Sequence, residues 1–519
     1  MVLSVTQIRD SEQFTMQSEP IAQIDLMERA ANALFGEIKN ISESNHIYGI
    51  YYNKYVVFCG AGNNGGDGLA LARLLATDDC SEKNDVTVVK CFGTARLSQD
   101  CQTNLQRLEN LLPQYPNLKI EDFSPNLVIE AGAVVVDSVF GIGLSRPLTG
   151  YFAEIVEFIN KHKSTNPIFS VDVPSGLFAD VPTPAANALV EADRTFTFQF
   201  QKLACLLPEN STRVGRVSVL DIGLRLPEND SFRPFAKMID LDLVRRIYRP
   251  AQKFDHKGSN GFGLLIAGSE LMPGAAVLAA EAAMRSGIGK VVVHTAARAA
   301  NALACRLPET LLDIDANDCF SDISLEKLNV NAVAVGPGLG KSPKTVNAVK
   351  NLLDELHSPL IIDADALNIL SENKAWFAYS PENSILTPHF KEFERLAGKS
   401  CDDFDRIEKL KEFSKKYGVI VILKGANSAV AFPDGRLFFN TTGNPGMATA
   451  GAGDVLTGVL LACLAKGYPT EHAALLAVWL HGRAGDFAAE KSSQESLIAS
   501  DISNNLGNAF AEITGAGCM

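Results

Sequence analysis

The chain has 519 residues, more than one hydrophobic core usually supports, so two or more domains are expected. Hydrophobic residues make up 46% and charged residues 21%, proportions that are ordinary for a globular enzyme. The net charge of −13 argues against broad binding to nucleic acid or to a membrane surface, because both need a basic face.

No apolar run reaches membrane-spanning length, and the first residues, MVLSVTQIRDSEQF, lack the apolar core of a signal peptide. The ten cysteines form no CxxC pair or Cys/His cluster, so we expect buried, reduced thiols rather than zinc ligands or disulfides. These features predict a cytoplasmic protein without nucleic-acid or membrane partners.

Short β-branched runs alternate with longer helical patterns in the first half, which predicts a parallel α/β sheet. The predicted helices are 24–38 and 68–76, and the predicted strands are Tyr55–Cys59, Val86–Val89, Ala133–Val136, Ile168–Val171 and Thr195–Phe198. Ligands of open parallel sheets bind beyond the carboxyl ends of the strands, so functional residues are expected there.

A glycine-rich turn, residues 60–68, follows the first predicted strand and leads into an apolar helix. This order suits a phosphate or a dinucleotide. The spacing is not GxGxxG, and no acidic residue follows at the distance needed for a ribose, so an ordinary Rossmann cofactor site is the weaker interpretation. The side chains of Asn63, Asn64 and Asp67 instead predict oxygen atoms directed at a ligand or a cation.

Two more aspartates end predicted strands, Asp137 the third and Asp172 the fourth. Oxygen donors from Asn64, Asp137 and Ser175 would form a hard-cation site, and few ligands with one formal charge favour K⁺ over Mg²⁺. The alternative is that both aspartates merely cap loops through Asx turns.

The motifs GNNGGDG, DSVFGIGL and SVDVPSGL resemble those of the NAD(P)HX epimerase family, the N-terminal domain of bifunctional NAD(P)H-hydrate repair enzymes. The resemblance covers residues 1–220 and implies inversion at C6 of hydrated nicotinamide. It implies K⁺ binding by Asn64, Asp137 and Ser175, and a substrate contact by Asp172 near the reacting carbon. The implied substrate-holding residues are Asn63, Asn64, Gly65, Gly66, Asp67, Gly141, Ile142, Gly143, Leu144, Ser145, Arg146 and Pro147.

Proton transfer or reversible loss of water at C6 needs an acid–base group, and Asp172 is the candidate catalytic residue. Lys202 follows the apolar run Phe196–Phe200. This lysine either assists as a charged neighbour or is an ordinary surface lysine, and the sequence leaves both interpretations open.

The pattern lapses near Asp221 into LRLPENDSFRPF, a polar segment that predicts a linker at 223–240 between domains 1–222 and 241–519. A second series of strands follows, and the last two, around Pro433-Asp434-Gly435, predict a hairpin. The predicted strands are Gly263–Ala267, Val291–Thr295, Ala332–Val335, Leu360–Ile362, Ile385–Leu386, Val419–Leu423, Ser428–Phe432 and Leu437–Asn440.

Small residues surround one carboxylate, Asp454, at the predicted start of an apolar helix, Val455–Ala465. Backbone N–H groups at a helix start form an anion site, and glycines let a phosphate approach closely. An aspartate there is poorly suited to attract a phosphate, but it is well suited to take a proton from a hydroxyl that attacks phosphorus. The segment predicts phosphoryl chemistry or nucleotide binding.

Other motifs of the second half lie at predicted strand ends or helix starts: HKGSNGFGLLIAGS, VGPGLG, IDADALN, LTPH and LKGAN. Each alone has a structural explanation. With GNPGMATAGAGDVLTG they resemble the ribokinase-like superfamily and, within it, the ADP/ATP-dependent NAD(P)HX dehydratases, over residues 256–506. Ala452 departs mildly from the Ser or Thr often seen between the two glycines.

This resemblance implies that a nucleotide phosphorylates the C6 hydroxyl of S-NAD(P)HX, after which phosphate leaves and the ring double bond re-forms. Asp454 would abstract the hydroxyl proton, while N–H groups of residues 451–453 stabilise the transferred phosphoryl group. Mg²⁺ would neutralise the phosphates, with no assigned protein ligand. The implied nucleotide-binding residues are Lys424, Gly425, Ala426, Asn427, Ser428 and Gly453, and the implied contacts to the hydrated dinucleotide are Ala276, Gly338, His389 and Asp454.

We therefore predict a Rossmann-like parallel-sheet domain followed by a ribokinase-like α/β domain in a bifunctional repair enzyme. ADP is the preferred donor over ATP because a two-domain fusion resembles the bacterial form, and a homo-oligomer is expected. The rival interpretation is a vitamin or sugar kinase with an accessory N-terminal domain. A non-enzymatic alternative makes the first domain a protein-binding scaffold.

Overall fold

The chain forms two compact units, Met1–Phe235 and Ala236–Met519. Each unit contains its own sheet of mainly parallel strands with helices around it. Within the part of the chain that is described, no helix combines the length and the apolarity needed to cross a bilayer. The structure is a computed structural model, and it describes residues 1–46, 52–78, 84–227, 232–325 and 328–515.

The first unit contains a seven-stranded sheet. Its strands are β1 (Lys54–Cys59), β2 (Asp85–Lys90), β3 (Leu118–Asp122), β4 (Val134–Ser138), β5 (Ile168–Val171), β6 (Arg194–Phe198) and β7 (Arg216–Leu220). Its helices are α1 (Val5–Ser18), α2 (Gln23–His46), α3 (Asn63–Ala76), α4 (Gln99–Glu109), α5 (Tyr151–Lys161), α6 (Leu203–Leu206) and α7 (Ser211–Val214).

All strands of this sheet run parallel, in the order β3-β2-β1-β4-β5-β6-β7. The order of the first six is that of the Rossmann fold, so the predicted fold class of this unit is confirmed. Strands β4 and β5 are buried along their whole length. Burial on both faces explains their continuous apolar sequences.

Three elements of this unit lack the pattern that predicts them. Strands β3 and β7 lie at the two edges of the sheet and are largely exposed, so their polar residues hide the β-branched signal. Helix α1 buries Ile8, Ser11 and Thr15, of which two are small and polar, so it has no apolar stripe.

The second unit contains a ten-stranded sheet. Its strands are β8 (Lys237–Met238), β9 (Phe262–Ile266), β10 (Lys290–Thr295), β11 (Leu311–Ile314), β12 (Ala332–Val335), β13 (Leu360–Ile362), β14 (Ile385–Leu386), β15 (Ile420–Leu423), β16 (Ser428–Ala431) and β17 (Leu437–Asn440). Its helices are α8 (Leu241–Ile247), α9 (Pro273–Arg285), α10 (Ala297–Arg306), α11 (Pro343–Glu355), α12 (Ala364–Glu372), α13 (Phe390–Ala397), α14 (Asp403–Tyr417), α15 (Ala452–Ala465), α16 (Thr470–Lys491) and α17 (Ala499–Thr514).

The strand order of this second sheet is β11-β10-β9-β12-β13-β14-β15-β16-β17-β8. Strands β15 to β17 pair antiparallel, and β16 with β17 forms the predicted hairpin. Strand β8 pairs in parallel with β17. It lies within residues 223–240, so the end of the predicted linker segment belongs to the second sheet.

Both sheets reverse their strand order once near the middle, the first between β1 and β4 and the second between β9 and β12. At such a switch point the neighbouring loops diverge and open a crevice beyond the carboxyl ends of the strands. The predicted sites of both halves should therefore lie at these two positions.

Helix α15 is buried over most of its length and packs closely on α9. A Cβ atom at Gly458 would lie 2.0 Å from the carbonyl oxygen of Ala279, so only glycine permits this approach. The close packing fixes the first turn of α15, which carries Asp454.

The described cysteines are free thiols, as the sequence predicts, but their burial is uneven. Cys305 and Cys401 are exposed, so the expectation of burial is wrong for these two residues. The buried cysteines are Cys59, Cys91, Cys101, Cys205 and Cys463.

Candidate active sites

A cavity of about 700 Å³ opens at the switch point of the first sheet. Its walls come from the start of α3, the loops after β4 and β5, and one face of α1. Helix α1 is fixed there because Ser11 Oγ donates to the Arg225 carbonyl (2.7 Å) and the Arg225 N–H donates to Thr15 Oγ1 (2.8 Å). A concave space of this size is typical of small-molecule sites.

Asp172 and Lys202 form a buried ion pair in this cavity. Lys202 Nζ lies 2.7 Å from Asp172 Oδ1, and the lysine is only 1% exposed. The ammonium also donates to the Phe198 carbonyl (3.0 Å), and Asp172 Oδ2 accepts from the N–H of Ile142 (3.3 Å). The surface-lysine interpretation of Lys202 is therefore wrong.

Asp172 also has an unusual backbone, with φ of 65°. A non-glycine residue in this left-handed region costs about 1–3 kcal/mol, and such strain clusters at active sites. The backbone turn after β5 aims the carboxylate into the cavity, where it meets the loop of Ile142.

Asp137 and Ser175 contact each other and are both fully buried, and neither lines the cavity. Asp137 accepts hydrogen bonds from Ser175 Oγ (2.5 Å), the Ser175 N–H (2.8 Å) and Ser170 Oγ (2.8 Å). The N–H of Val139 also donates to it (3.3 Å), which is the Asx-turn bond of the loop-capping alternative. Burial raises the pKa of the Asp137 carboxyl, although these hydrogen bonds oppose the shift.

Asn64 is the exception among these well-paired polar side chains. Both its amide nitrogen and its amide oxygen are buried, and neither has a hydrogen-bond partner among the described residues. A buried, unpaired amide costs about 1–3 kcal/mol, so a ligand or ion is the natural partner. The position of a Cβ on Gly141 lies 3.1 Å from Asp172 Oδ2 and 3.3 Å from Asn64 Oδ1, so both groups flank this glycine.

One short loop, residues 139–141, thus contacts all three predicted K⁺ ligands. The N–H of Val139 binds Asp137, the N–H of Phe140 binds Ser175 Oγ (2.8 Å), and Gly141 lies beside Asn64. Among the described residues no cluster of three His, Cys, Asp or Glu side chains is suited to a metal. The three predicted K⁺ ligands therefore supply oxygen atoms and include one carboxylate, Asp137.

Most residues predicted to hold the substrate line the cavity, whereas two glycines serve the packing of α3. A Cβ at Gly65 would lie 1.7 Å from the Gly60 carbonyl oxygen, and one at Gly66 would lie 2.8 Å from the Met27 side chain. Pro147 is exposed and is not among the lining residues. The predicted residues that line the cavity are Asn63, Asn64, Asp67, Gly141, Ile142, Gly143, Leu144, Ser145, Arg146 and Asp172.

In the second unit, Asp454 lies in the first turn of α15, which follows Gly451 with φ of 91°. Burial raises the pKa of the Asp454 carboxyl to about 7, and repulsion from Asp363 adds to the shift. Lys424 opposes the shift, and Asp365 contributes a smaller increase. A carboxyl group poised near neutral pH is suited to act as a general base.

Asp363 follows β13 and is buried, and its charge repels that of Asp454. Its carboxylate accepts from Lys424 Nζ (2.9 Å) and from Thr457 Oγ1 (2.7 Å). The pKa of Asp363 is lowered because the lysine and these hydrogen bonds outweigh burial. The motif IDADALN contains this residue, but the sequence gives no sign of its pairing with Lys424.

The first turn of α15 also presents backbone donors. Gly453 and Asp454 are at positions whose N–H groups have no acceptor within the helix, whereas Val455 already bonds to Gly451 (3.1 Å). A Cβ at Gly453 would lie 3.2 Å from Lys424 Nζ, so this turn faces the lysine. Backbone donors and a nearby ammonium together suit a phosphate.

The segment Lys424–Ser428, predicted to bind a nucleotide, joins β15 to β16 next to this turn. Gly425 and Ala426 are exposed, and Ser428 Oγ donates to the Gly425 carbonyl (3.1 Å), which closes the loop. The N–H of Lys424 donates to the Pro388 carbonyl (2.9 Å) and thereby holds the loop beside His389.

His389 caps α13. Its Nδ1 accepts from the backbone N–H groups of Lys391 (3.1 Å) and Glu392 (3.3 Å). The backbone N–H of His389 donates to Glu392 Oε2 (2.8 Å). The side chain is 49% exposed, so its outer edge is accessible. The structure thus gives this histidine a structural role and leaves its predicted substrate contact as a prediction.

Ala276 and Gly338 flank the switch point of the second sheet, Ala276 in α9 after β9 and Gly338 after β12. Ala276 is fully buried, with its Cβ near Gly268, so its side chain is not open to a ligand. Gly338 has φ of 64°, and a Cβ there would lie 2.8 Å from the Cβ of Ala275. Both residues pack the start of α9 in this structure.

Comparisons with known proteins match each half separately. Residues 263–508 match the family model of NAD(P)H-hydrate dehydratase, and residues 23–204 match that of the YjeF-related protein N-terminus. The ADP/ATP-dependent NAD(P)H-hydrate dehydratase of Bacillus subtilis, crystallised with ATP and Mg²⁺, is 33% identical to this chain. That match covers 54% of this chain and 99% of the other, with a TM-score of 0.48.

Two relatives match along nearly the whole chain. The bifunctional NAD(P)H-hydrate repair enzyme Nnr of Moorella thermoacetica is 33% identical over 501 residues, which cover 93% of this chain and 91% of the relative. The protein of the same name from Thermofilum pendens is 33% identical over 519 residues, which cover 95% and 96%. The chain therefore belongs to the family of bifunctional NAD(P)H-hydrate repair enzymes.

Proposed function

We propose that this chain repairs hydrated NADH and NADPH in two steps at two separate sites. The first unit interconverts the R and S epimers of NAD(P)HX, and the second dehydrates the S epimer at the expense of ADP, giving AMP and phosphate. The observation that carries the proposal is the presence of one acidic centre in each unit, Asp172 with Lys202 beyond β5 and β6 and Asp454 beside Asp363, which follows β13.

In the first unit, Asp172 is the acid–base group at C6 of the hydrated ring. Its ion pair with Lys202 and the Ile142 N–H hold the carboxylate in one orientation, which a proton transfer requires. The lining residues of α3 and of the loop Gly141–Arg146 surround the dinucleotide. Gly65, Gly66 and Pro147 shape these loops without lining the cavity.

K⁺ fits the base of this site. Asn64 offers an unpaired amide oxygen, and Asp137 is a fully buried carboxylate with no cationic partner among the described residues. Asn64, Asp137 and Ser175 would hold the ion, which would supply a fixed positive charge when bound. Hydrogen bonds of Asp137 to Ser170 and Ser175 keep the carboxylate in place.

In the second unit, Asp454 takes the proton of the C6 hydroxyl while the hydroxyl oxygen attacks the terminal phosphorus of the nucleotide. The N–H groups of Gly453 and Asp454 face the transferred phosphoryl group and stabilise its charge. Phosphate then leaves C6 far more readily than hydroxide would, and the nicotinamide double bond re-forms. Lys424 anchors Asp363 and contributes positive charge beside this turn.

The nucleotide binds along Lys424, Gly425, Ala426, Asn427 and Ser428, with Gly453 near its phosphates. Ala276, Gly338 and His389 contact the hydrated dinucleotide, Ala276 through its backbone because its side chain is buried. Mg²⁺ accompanies the nucleotide phosphates, which suits a site that offers no cage of three carboxylates or imidazoles in the described chain. When bound, the ion would neutralise phosphate charge.

Finer properties of the protein belong to the same proposal. ADP rather than ATP is the donor, the enzyme works in the cytoplasm, and it forms a symmetric homo-oligomer. Residues 1–222 carry epimerisation and residues 241–519 carry dehydration, joined by the segment 223–240.

The decisive experiment follows recovery of NADH by its nicotinamide absorbance from a mixture of R and S hydrates. We expect no recovery without nucleotide, partial recovery if the first site is inactivated, and full recovery with ADP and the intact chain. A stable phosphorylated product without released phosphate would instead support a small-molecule kinase, a rival that leaves the Asp172–Lys202 pair unexplained.

A further inference from the structure

One face of α1 forms a wall of the first cavity, and it carries a carboxylate. Glu12 lines the cavity together with Ile8, Arg9 and Met16 of the same face. Glu12 is half-buried, and its carboxylate makes no hydrogen bond to another residue within the described ranges. The anchoring of Ser11 and Thr15 to Arg225 holds the helix, and so Glu12, at this wall.

Several charged groups face Glu12. Arg9 comes from α1 itself, Asp67 from α3, Asp172 from the loop after β5, and Lys202 from the residue before α6. The only buried cation in this group, Lys202, is already paired with Asp172. Burial raises the pKa of the Glu12 carboxyl, and repulsion from Asp172 adds to the shift.

The same cavity contains a second sign of a ligand that is independent of these acids. The buried amide of Asn64, which also lines the cavity, has no partner among the described residues. Glu12 and Asn64 are therefore polar groups of one pocket whose bonding is completed only by a bound molecule.

Inversion at C6 through loss and return of water needs two proton transfers on two faces of the ring. The departing hydroxyl must receive a proton, and the incoming water must lose one. A carboxyl group fixed on one face of the ring serves the oxygen on that face, so the oxygen on the opposite face needs a group of its own. A second titratable group from another element of the wall resolves this difficulty.

We propose that Glu12 is a second catalytic residue of the first unit, the acid that works with Asp172 during epimerisation; this rests on the proposed function. Glu12 gives its proton to the C6 hydroxyl oxygen, the C6–O bond breaks, and its electron pair leaves with water. The lone pair of the ring nitrogen forms an N1=C6 double bond.

Water then adds to the other face of C6. Its oxygen forms the new C6–O bond, the N1=C6 electron pair returns to nitrogen, and Asp172 takes the surplus proton. Exchange of one proton from Asp172 to Glu12 through water in the cavity restores the starting state. The reverse reaction uses the same groups with their roles exchanged.

The test compares NADH recovery from purified R hydrate with recovery from S hydrate, in the full-length Glu12→Gln variant with ADP. We expect recovery from the R epimer to slow about 100-fold, the lower range of general acid catalysis, with recovery from the S epimer unchanged. Asp10→Asn is the matched control, because Asp10 is an exposed acid of the same helix and does not line the cavity.

Two further readouts separate chemistry from structure. Glu12→Asp keeps a carboxyl group, so it should retain much more activity than Glu12→Gln. The wild-type rate should fall as pH rises above the raised pKa of Glu12, and this limb should be absent from the residual activity of Glu12→Gln.

Equal losses in Glu12→Asp and Glu12→Gln would mean a structural role and overturn the inference. So would wild-type rates and pH profile in Glu12→Gln. If the wild-type enzyme epimerises neither hydrate, the proposed function of the first unit fails instead, so the two failures are distinguishable.

Discussion

Both candidate sites contain an acid and a lysine, but the two units connect them differently. In the first unit, Lys202 pairs directly with Asp172, the carboxylate that we propose reacts. In the second, Lys424 pairs with the supporting carboxylate of Asp363. Asp454 has no ion pair among the residues that the structure describes, and burial raises its pKa to about 7.

This difference shows how one pair of residue types serves two tasks. An ion pair on the reacting carboxylate fixes its orientation for a small stereochemical change. When the lysine pairs with a neighbouring carboxylate, the proposed base keeps a high proton affinity. Such a base can take the proton of a hydroxyl that attacks phosphorus near neutral pH. The partner of the lysine, rather than its presence, separates the two sites.

The largest expected effect comes from Asp454→Asn. Loss of the base should reduce nucleotide-dependent dehydration by about 1,000-fold or more, because general base catalysis contributes 10²–10⁴-fold. Epimerisation measured on the same sample should persist. Equal loss of both activities in a folded variant would contradict two independent sites.

Asp172→Asn is the converse change. It should slow epimerisation by about 100-fold and leave dehydration of the S epimer intact. Buried Lys202 also loses its ionic partner, so the free energy of unfolding of the first unit should fall by about 3 kcal/mol. Calorimetry with and without urea checks this fall in the free energy of unfolding. Unchanged epimerisation would support the scaffold alternative for this unit.

The pH dependence of dehydration sharpens the comparison further. Asp454 acts as a base only when deprotonated, so the rate should rise with pH and level off above about 7. Asp363→Asn removes the repulsion that raises this pKa, so the rising limb should move to lower pH.

Asp365→Asn is the control for that limb, because Asp365 raises the pKa of Asp454 less than Asp363 does. The rising part of the pH–rate profile of Asp365→Asn should move to lower pH by a smaller amount. A limb that stays in place in Asp363→Asn would refute the assigned role of the Lys424–Asp363 pair.

The smallest expected effect concerns the proposed K⁺ site. Asn64→Ala removes a buried amide without a hydrogen bond in the described structure, so the free energy of unfolding should not fall, while epimerisation becomes a few-fold slower and loses its response to KCl. Asp137→Ala leaves the donors of Ser170 and Ser175 unpaired and should destabilise the unit by about 1–3 kcal/mol. An epimerisation rate independent of KCl in the wild type would exclude the cation.

The sequence predicts the central strands well and singles out the two acids that we propose as reacting groups, but it predicts the residues around them poorly. Strands such as β4 and β5 are buried on both faces, so their composition alone reveals them. Asp172 and Asp454 follow predicted strands or begin a helix. Glu12 and Asp363 escape prediction because their importance lies in partners that are distant in the chain, Asp172 and Lys424.

The left-handed backbone of Asp172 sets the stability of the first unit against its proposed activity. A glycine would adopt that geometry without strain, so engineering this protein for thermal stability alone would favour Asp172→Gly, which removes the carboxylate. A variant chosen for stability alone would thus lose the carboxylate that the proposed epimerisation needs.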